Sequence, residues 1–208
     1  MARIIDIKAD RQAAIEAASA ALADGFAIAI PTETVYGLAA DATNPVAITR
    51  IYETKGRPRF NPLICHMADL AMAEKHAEFD PLSRALAAAF WPGPLTLVVP
   101  ANDAAVLVRA TGGRGTVGVR VSSHPVARAL AEVSPAGVIT ATSANKSGLP
   151  AQTTADGVAA VLDRVDIVID GGDAPGGPAS TIVDVSGAEP RLIREGPIAF
   201  ARVLESLR

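Results

Sequence analysis

The strongest constraint on the fold is the order in which helix starts and apolar runs alternate along the chain. Asp10 can cap a helix running through an alanine-rich segment to Gly25, and the apolar run 26–30 follows as a strand. Asn44-Pro45 repeats the start, a capping side chain and then a proline in the first turn, with Gly56 as its stop. Residues 62–66 read as a short strand, Asp80-Pro81 opens a helix that ends before Pro92, and residues 95–99 form a buried-type strand. Val117, Val119 and Val121 then point one way while Gly118 and Arg120 point the other. A helix over 123–133, a strand over 138–142 and a helix over 154–165 come next. Strands at 167–170, 181–185 and 191–194 precede a closing helix from Pro197. Nearly one helix per strand, and then clustered strands, predicts an α/β fold with a twisted mixed β-sheet and flanking helices. A length of 208 residues suits a single domain spanning 1–208.

Composition decides how such a domain fills its core. The chain holds 42 alanines but only 8 aromatic residues, so aliphatic side chains and close backbone approach must do the filling. The longest apolar run, 85–91, is far below the ~18–20 residues of a membrane span, and no span is expected. One cysteine, Cys65, cannot form an internal disulfide, and the charged N-terminus has no leader-like apolar stretch. Both point to the cytoplasm. The net charge of −3 argues against a protein that coats nucleic acid non-specifically. Cations are nevertheless concentrated: residues 50–59 carry four basic side chains against one acidic, and residues 109–128 four arginines against none. An anionic ligand would fit between these segments.

Several chemistries are disfavoured. No G-x-G-x-x-G opens a helix, Gly112-Gly113-Arg114-Gly115-Thr116 lacks the G-K-[ST] ending of a phosphate loop, and no G-x-S-x-G elbow exists. His66, His76 and His124 have no accompanying cysteine pair or H-E-x-x-H, so no protein-built metal site is expected. What remains is chemistry by positioning and electrostatics.

Four segments carry suitable groups. Pro31-Thr32-Glu33-Thr34-Val35-Tyr36-Gly37-Leu38 places hydroxyls and a carboxylate directly after a strand, where open α/β sheets bind ligands, though the threonines also suit a capping turn. Lys55-Gly56-Arg57-Pro58-Arg59, leading to Asn61, holds cations on a proline-stiffened segment suited to polyphosphate, and equally resembles a solvated basic turn. Arg120 is a mid-strand cation, open to a carboxylate anchor, an exposed face or an ion pair. Residues 140–148 crowd Thr140, Thr142, Ser143, Asn145 and Ser147 around a strand end, as ribose or phosphate recognition requires and as ordinary loops also do.

In order, PTETVYGL, KGRPRFNPLICH, WPGPLTLVV, TVGVRVSSHP, ATSANKSG, STIVDV and LIREGPI resemble the YrdC-like threonylcarbamoyl-adenylate synthases over about residues 26–198. The family's K-x-R and S-x-N correspond to Lys55/Arg57 and Ser143/Asn145. The resemblance implies an α/β domain with a concave electropositive face that converts L-threonine, bicarbonate and ATP to L-threonylcarbamoyl-AMP and pyrophosphate. The product would pass to a separate transferase that modifies an adenosine beside the anticodon of tRNA. Lys55, Arg57, Ser143 and Asn145 would be the catalytic group. Thr34, His66, Arg120, Thr140 and Ser180 would contact threonine. Lys55, Arg57, Asn61, Thr116, Thr142, Ser143, Asn145, Pro150 and Arg194 would hold ATP, with Mg²⁺ carried mainly on its phosphates.

The chain departs from the family at Cys65, at Pro178-Ala179 before Ser180, and at Glu195 after Arg194. Its end falls where two-domain relatives continue through a linker, so it matches either the one-domain form or the catalytic domain of a longer one. The four ligand-facing segments are rich in cations and hydroxyls and poor in carboxylates, Glu33 being the exception, so no single side chain is expected to act as an indispensable general base. Rival readings are a non-catalytic RNA-binding module or paralogue of the same fold, with weak tRNA binding, and carbamoyl transfer of the hydrogenase-maturation type. The latter needs acylphosphatase and zinc-binding regions for which this chain has no room.

Overall fold

The computed structural model describes residues 2–102 and 110–208, so Arg109 of the second basic segment lies outside the described residues. Helix α1 (Arg11–Ala23) begins where expected, the Asp10 carboxylate accepting the Ala13 N–H. Helix α2 (Pro45–Lys55) starts on the Asn44 side chain and stops at Gly56, whose φ of 59° is left-handed. Helices α3 (Leu70–His76), α4 (Pro81–Phe90), α5 (Pro125–Val133), α6 (Ala155–Val161) and α7 (Phe200–Glu205) follow. The last turn expected of the helix over 154–165 is absent: Leu162 is extended and caps α6.

Ten strands form one mixed sheet: β1 (Arg3–Asp6), β2 (Ile28–Ile30), β3 (Gly37–Asp41), β4 (Ile64–Met67), β5 (Leu95–Pro100), β6 (Thr116–Arg120), β7 (Val138–Ser143), β8 (Ile167–Asp170), β9 (Thr181–Asp184) and β10 (Arg191–Arg194). Their spatial order is β1-β8-β2-β3-β7-β4-β6-β5-β9-β10, and the sheet stays open, with β1 and β10 at its edges. β4 runs parallel to β6 and antiparallel to β7, with Ile64 level with both Gly118 and Ala141. Sequence reading gave β2 and β4 to β10 and missed β1, β3 and α3.

Side-chain alternation sorts the sheet into two faces. Cys65, Leu97, Val117, Val119 and Val183 belong to one large buried cluster with Ile48 and Ile51 of α2 and Leu86 of α4. On the other face, Ile28, Ile30, Ala39, Ile139 and Ala141 are covered by α1 and α5 through Ala14, Ala18, Leu22, Val126 and Leu130. Alanine at so many contact positions lets helix and sheet approach closely, which accounts for the alanine-rich composition. Helices α1 and α5 cover only part of that second face. Over β6, β5 and β9, beyond where α5 packs on β4, a cavity lies on that face. Among the described residues no helix is long and apolar enough to cross a membrane.

Candidate active site

The cavity measures about 660 Å³, within the usual range for small-molecule sites. Strand register gives it an axis. His66 of β4 is level with Arg120 of β6. Thr116 lies four residues back on β6, about 13 Å at ~3.3 Å per residue, toward the end where β7 finishes in Ser143.

At the first end, His66 and Arg120 are both about 95% buried. Burial, reinforced by the neighbouring Arg120 and only partly offset by Glu33, pushes the His66 imidazole down to about 3, so it is neutral at physiological pH. Among the described residues neither its Nδ1 nor Arg120 Nη2 has a hydrogen-bond partner. The Arg120 guanidinium donates from Nε to the Gly93 carbonyl at 3.2 Å and lies with Nη2 2.8 Å from Glu33 Oε1. Glu33 also accepts the Ser122 hydroxyl and the Ser123 N–H, the latter at 3.0 Å. Burial works against Glu33 ionisation, but Arg120 and these donors outweigh it and hold the carboxyl at about 2. Thr34 enters from the connection between β2 and β3, which is tied down by Thr32 Oγ1 donating to the Val35 carbonyl (2.6 Å) and by the Gly176 N–H donating to the Thr34 carbonyl (2.8 Å).

On the β9 side, the Ser180 hydroxyl lies 2.9 Å from that of Thr96. Arg194 of β10 donates through Nη2 and Nε to the Ser180 carbonyl, at 2.8 and 3.1 Å. Burial lowers the Arg194 pKa, as do the charges of Arg120 and Arg57. At the second end, α2 stops at Gly56 and the chain turns through Arg57, which donates to the Pro62 carbonyl at 3.0 Å and to the Asn61 carbonyl at 3.4 Å. Tyr52 also donates to the Asn61 carbonyl, at 2.8 Å.

Ten of the residues singled out from sequence line this cavity: Thr34, Arg57, Asn61, His66, Thr116, Arg120, Thr142, Ser143, Ser180 and Arg194. Lys55, Thr140, Asn145 and Pro150 do not. Thr140 is level with Cys65, on the face opposite His66, and its hydroxyl donates to the Ile64 carbonyl at 3.1 Å. Lys55 is 2% exposed, and its ammonium donates to the Ser143 carbonyl, the Asn145 carbonyl (2.8 Å) and Asn145 Oδ1 (3.3 Å). Burial, then the charge of Arg57, pushes this ammonium down to about 8. Asn145 in turn donates to the Lys146 and Leu149 carbonyls, both at 2.8 Å, which shapes the turn after β7. Pro150 lies beyond that turn.

Sequence reasoning gave no site role to Arg114, Arg191, Thr96 and Asp184, all on the cavity wall. The alternation along β5 and β9 carries the signal for Thr96 and Asp184, since each interrupts an apolar strand on the face opposite the large core. Among the described residues Asp184 is the one carboxylate lining the cavity, and it is engaged by Arg191 (2.7 Å) and Ser186 (2.7 Å). Among the described residues no group of three histidines, cysteines or carboxylates could hold a metal ion.

An open mixed sheet, with a cavity on one face lined among the described residues by five arginines and one carboxylate, defines an α/β domain of the mixed-sheet class. A family model of the Sua5/YciO/YrdC domain, described as "Telomere recombination", matches residues 20–196, and the chain belongs to that family. The threonylcarbamoyl-AMP synthase of Bacillus subtilis is 43% identical over 192 residues, which cover 91% of this chain and 55% of the relative. The crystal structure of Pyrococcus abyssi Sua5 complexed with L-threonine superposes with a TM-score of 0.90 at 38% identity, covering all of this chain and 61% of that one. Escherichia coli YciO has the same fold, with a TM-score of 0.86 at 23% identity over 98% of this chain and its own full length. The chain thus spans little more than half the length of the Bacillus and Pyrococcus proteins.

Proposed function

We propose that residues 1–208 act as one catalytic unit that makes L-threonylcarbamoyl-AMP from L-threonine, bicarbonate and ATP, releasing pyrophosphate. The observation that carries this reading is the convergence of ten motif residues, drawn from six separate stretches of sequence, on one cavity. The identity to named synthases, and the Pyrococcus structure holding L-threonine, support the same reading.

Threonine would occupy the His66–Arg120 end. Arg120 offers its guanidinium to the carboxylate, and the neutral, unpartnered Nδ1 of His66 is free to bond the hydroxyl, with Thr34 and Ser180 nearby. A buried polar partner of this kind strongly rejects an analogue lacking the hydroxyl. The threonine nitrogen attacks the bicarbonate carbon, water leaves, and a carbamate results. One carbamate oxygen then attacks the α-phosphorus of ATP in line, and pyrophosphate departs with the bonding electron pair. An anion attacking a polyanion needs charge compensation, for which Arg57 and Arg194 are suited, with Asn61, Thr116, Thr142 and Ser143 as hydrogen-bonding groups. Lys55 and Asn145 would serve by holding the turn after β7, and Thr140 and Pro150 by shaping its approach. Asp184 is already engaged, so the wall offers Mg²⁺ no free carboxylate, and the ion would be held mainly by the nucleotide's phosphates. The product would be handed in the cytoplasm to a separate tRNA-modifying transferase.

Isotopically labelled bicarbonate tests the reaction. Label recovered in a threonine- and adenylate-containing product is the expected result. Pyrophosphate release with no bicarbonate-derived carbon in the product would contradict it.

A further inference from the structure

Glu33 is the one carboxylate in the four segments singled out from sequence, and the chemistry above gives it no task. It does not line the cavity, and its side chain is 15% exposed. Three groups of β6 and the turn that follows converge on it: Arg120 Nη2 at 2.8 Å, the Ser123 N–H at 3.0 Å and the Ser122 hydroxyl. Three strands, β3, β7 and β4, separate β2 from β6, so the connection carrying Glu33 must fold back across the sheet to make these contacts. The Thr32–Val35 and Gly176–Thr34 hydrogen bonds hold it there. On the other side of Arg120, Gly93 takes Nε. Glu33 holds Nη2 as an ion pair without a hydrogen bond, so the guanidinium is restrained from two sides while Nη2 still has no hydrogen-bond acceptor among the described residues.

We infer that Glu33 is a positioning residue of the amino-acid subsite: it clasps Arg120 so that the remaining N–H edge meets a ligand carboxylate, and so sets the preference for a free α-carboxylate. The inference rests on the synthase reading above. A fixed planar donor pair recognises a carboxylate by geometry as well as charge, whereas an unclasped guanidinium would lose that direction. Glu33 also offsets the charge of Arg120, which makes a buried cation tolerable before the substrate arrives.

The test compares L-threonine with L-threonine amide, which lacks the carboxylate, in wild-type, Glu33→Gln and Glu33→Asp proteins of verified fold. In Glu33→Gln the KM for L-threonine rises about tenfold, while kcat and the KM for ATP stay within about threefold. The wild-type preference for threonine over its amide shrinks by about the same tenfold, and Glu33→Asp restores part of it. Ser122→Ala removes one donor to Glu33 and shifts the preference the same way by less, which carries the test if Glu33→Gln does not fold. Product formation by the wild type with an unchanged threonine-to-amide preference in the variants overturns the inference alone. So does loss of kcat at unchanged KM, which would make Glu33 a base. A wild-type protein that forms no product overturns the functional reading, and this inference with it.

Discussion

The Lys55 ammonium donates to both the backbone carbonyl (2.8 Å) and the side-chain oxygen (3.3 Å) of Asn145, a residue 90 positions further along the chain. Two short motifs distant in sequence are thereby locked together, and the two cations of K-x-R are given different surroundings. Lys55 is buried among oxygen acceptors and Arg57 lines the cavity. Lys55→Met removes the donor and strands those oxygens, so unfolding in urea should show a loss of about 2–4 kcal/mol. Arg57→Ala should leave the fold near wild type while turnover falls about 10²–10³-fold. Equal stability losses in the two variants would contradict this division.

Gly118 lies on the cavity floor, and a Cβ there would meet Thr96 Cγ2 at 3.5 Å and Ile64 Cγ1 at 3.7 Å, ordinary contact distances. Gly118→Val therefore fits the sheet but extends into the ligand space. Calorimetric titration should show L-threonine binding weakened more than about tenfold, with stability in urea changed by less than about 1 kcal/mol. Undiminished binding would mean the amino acid sits elsewhere.

The Glu33 carboxyl drops from its ordinary value of 4.5 to about 2 on folding, so its contribution to stability is complete above about pH 5. As pH falls through 4.5 toward 2, the unfolded state takes up the proton first and the contribution disappears. A drop of that size corresponds to roughly 3 kcal/mol. The stability difference between wild type and Glu33→Gln, measured by denaturation from pH 6 to pH 2.5, should be flat and then shrink below pH 4.5. A difference independent of pH would show that Glu33 is not ionised in the fold.

Local signals explain what was legible in the sequence. The starts at Asp10, Asn44 and Asp80 were readable because each cap bonds an N–H two or three residues on. The alternation around Arg120 was readable because one face of β6 packs on a core and the other does not. Strand β3 was not: all five of its residues are buried, so no period of two survives, and a hydroxyl-rich segment precedes it. Edge strand β1 pairs only with distant β8 and is mostly exposed, leaving too little pattern to read. At the site, ten of the cavity residues could be gathered by motif. The burial of Lys55, the Glu33–Arg120 clasp and the joining of Asp184 to Arg191 depend on strand order and register, which local sequence does not carry.

The most direct test of the account is pyrophosphate release by the purified chain supplied with ATP and Mg²⁺, omitting L-threonine and bicarbonate in turn. Release should occur only when both are present, and should be lost in Arg57→Ala. Release from ATP alone, or release indifferent to bicarbonate, would contradict it.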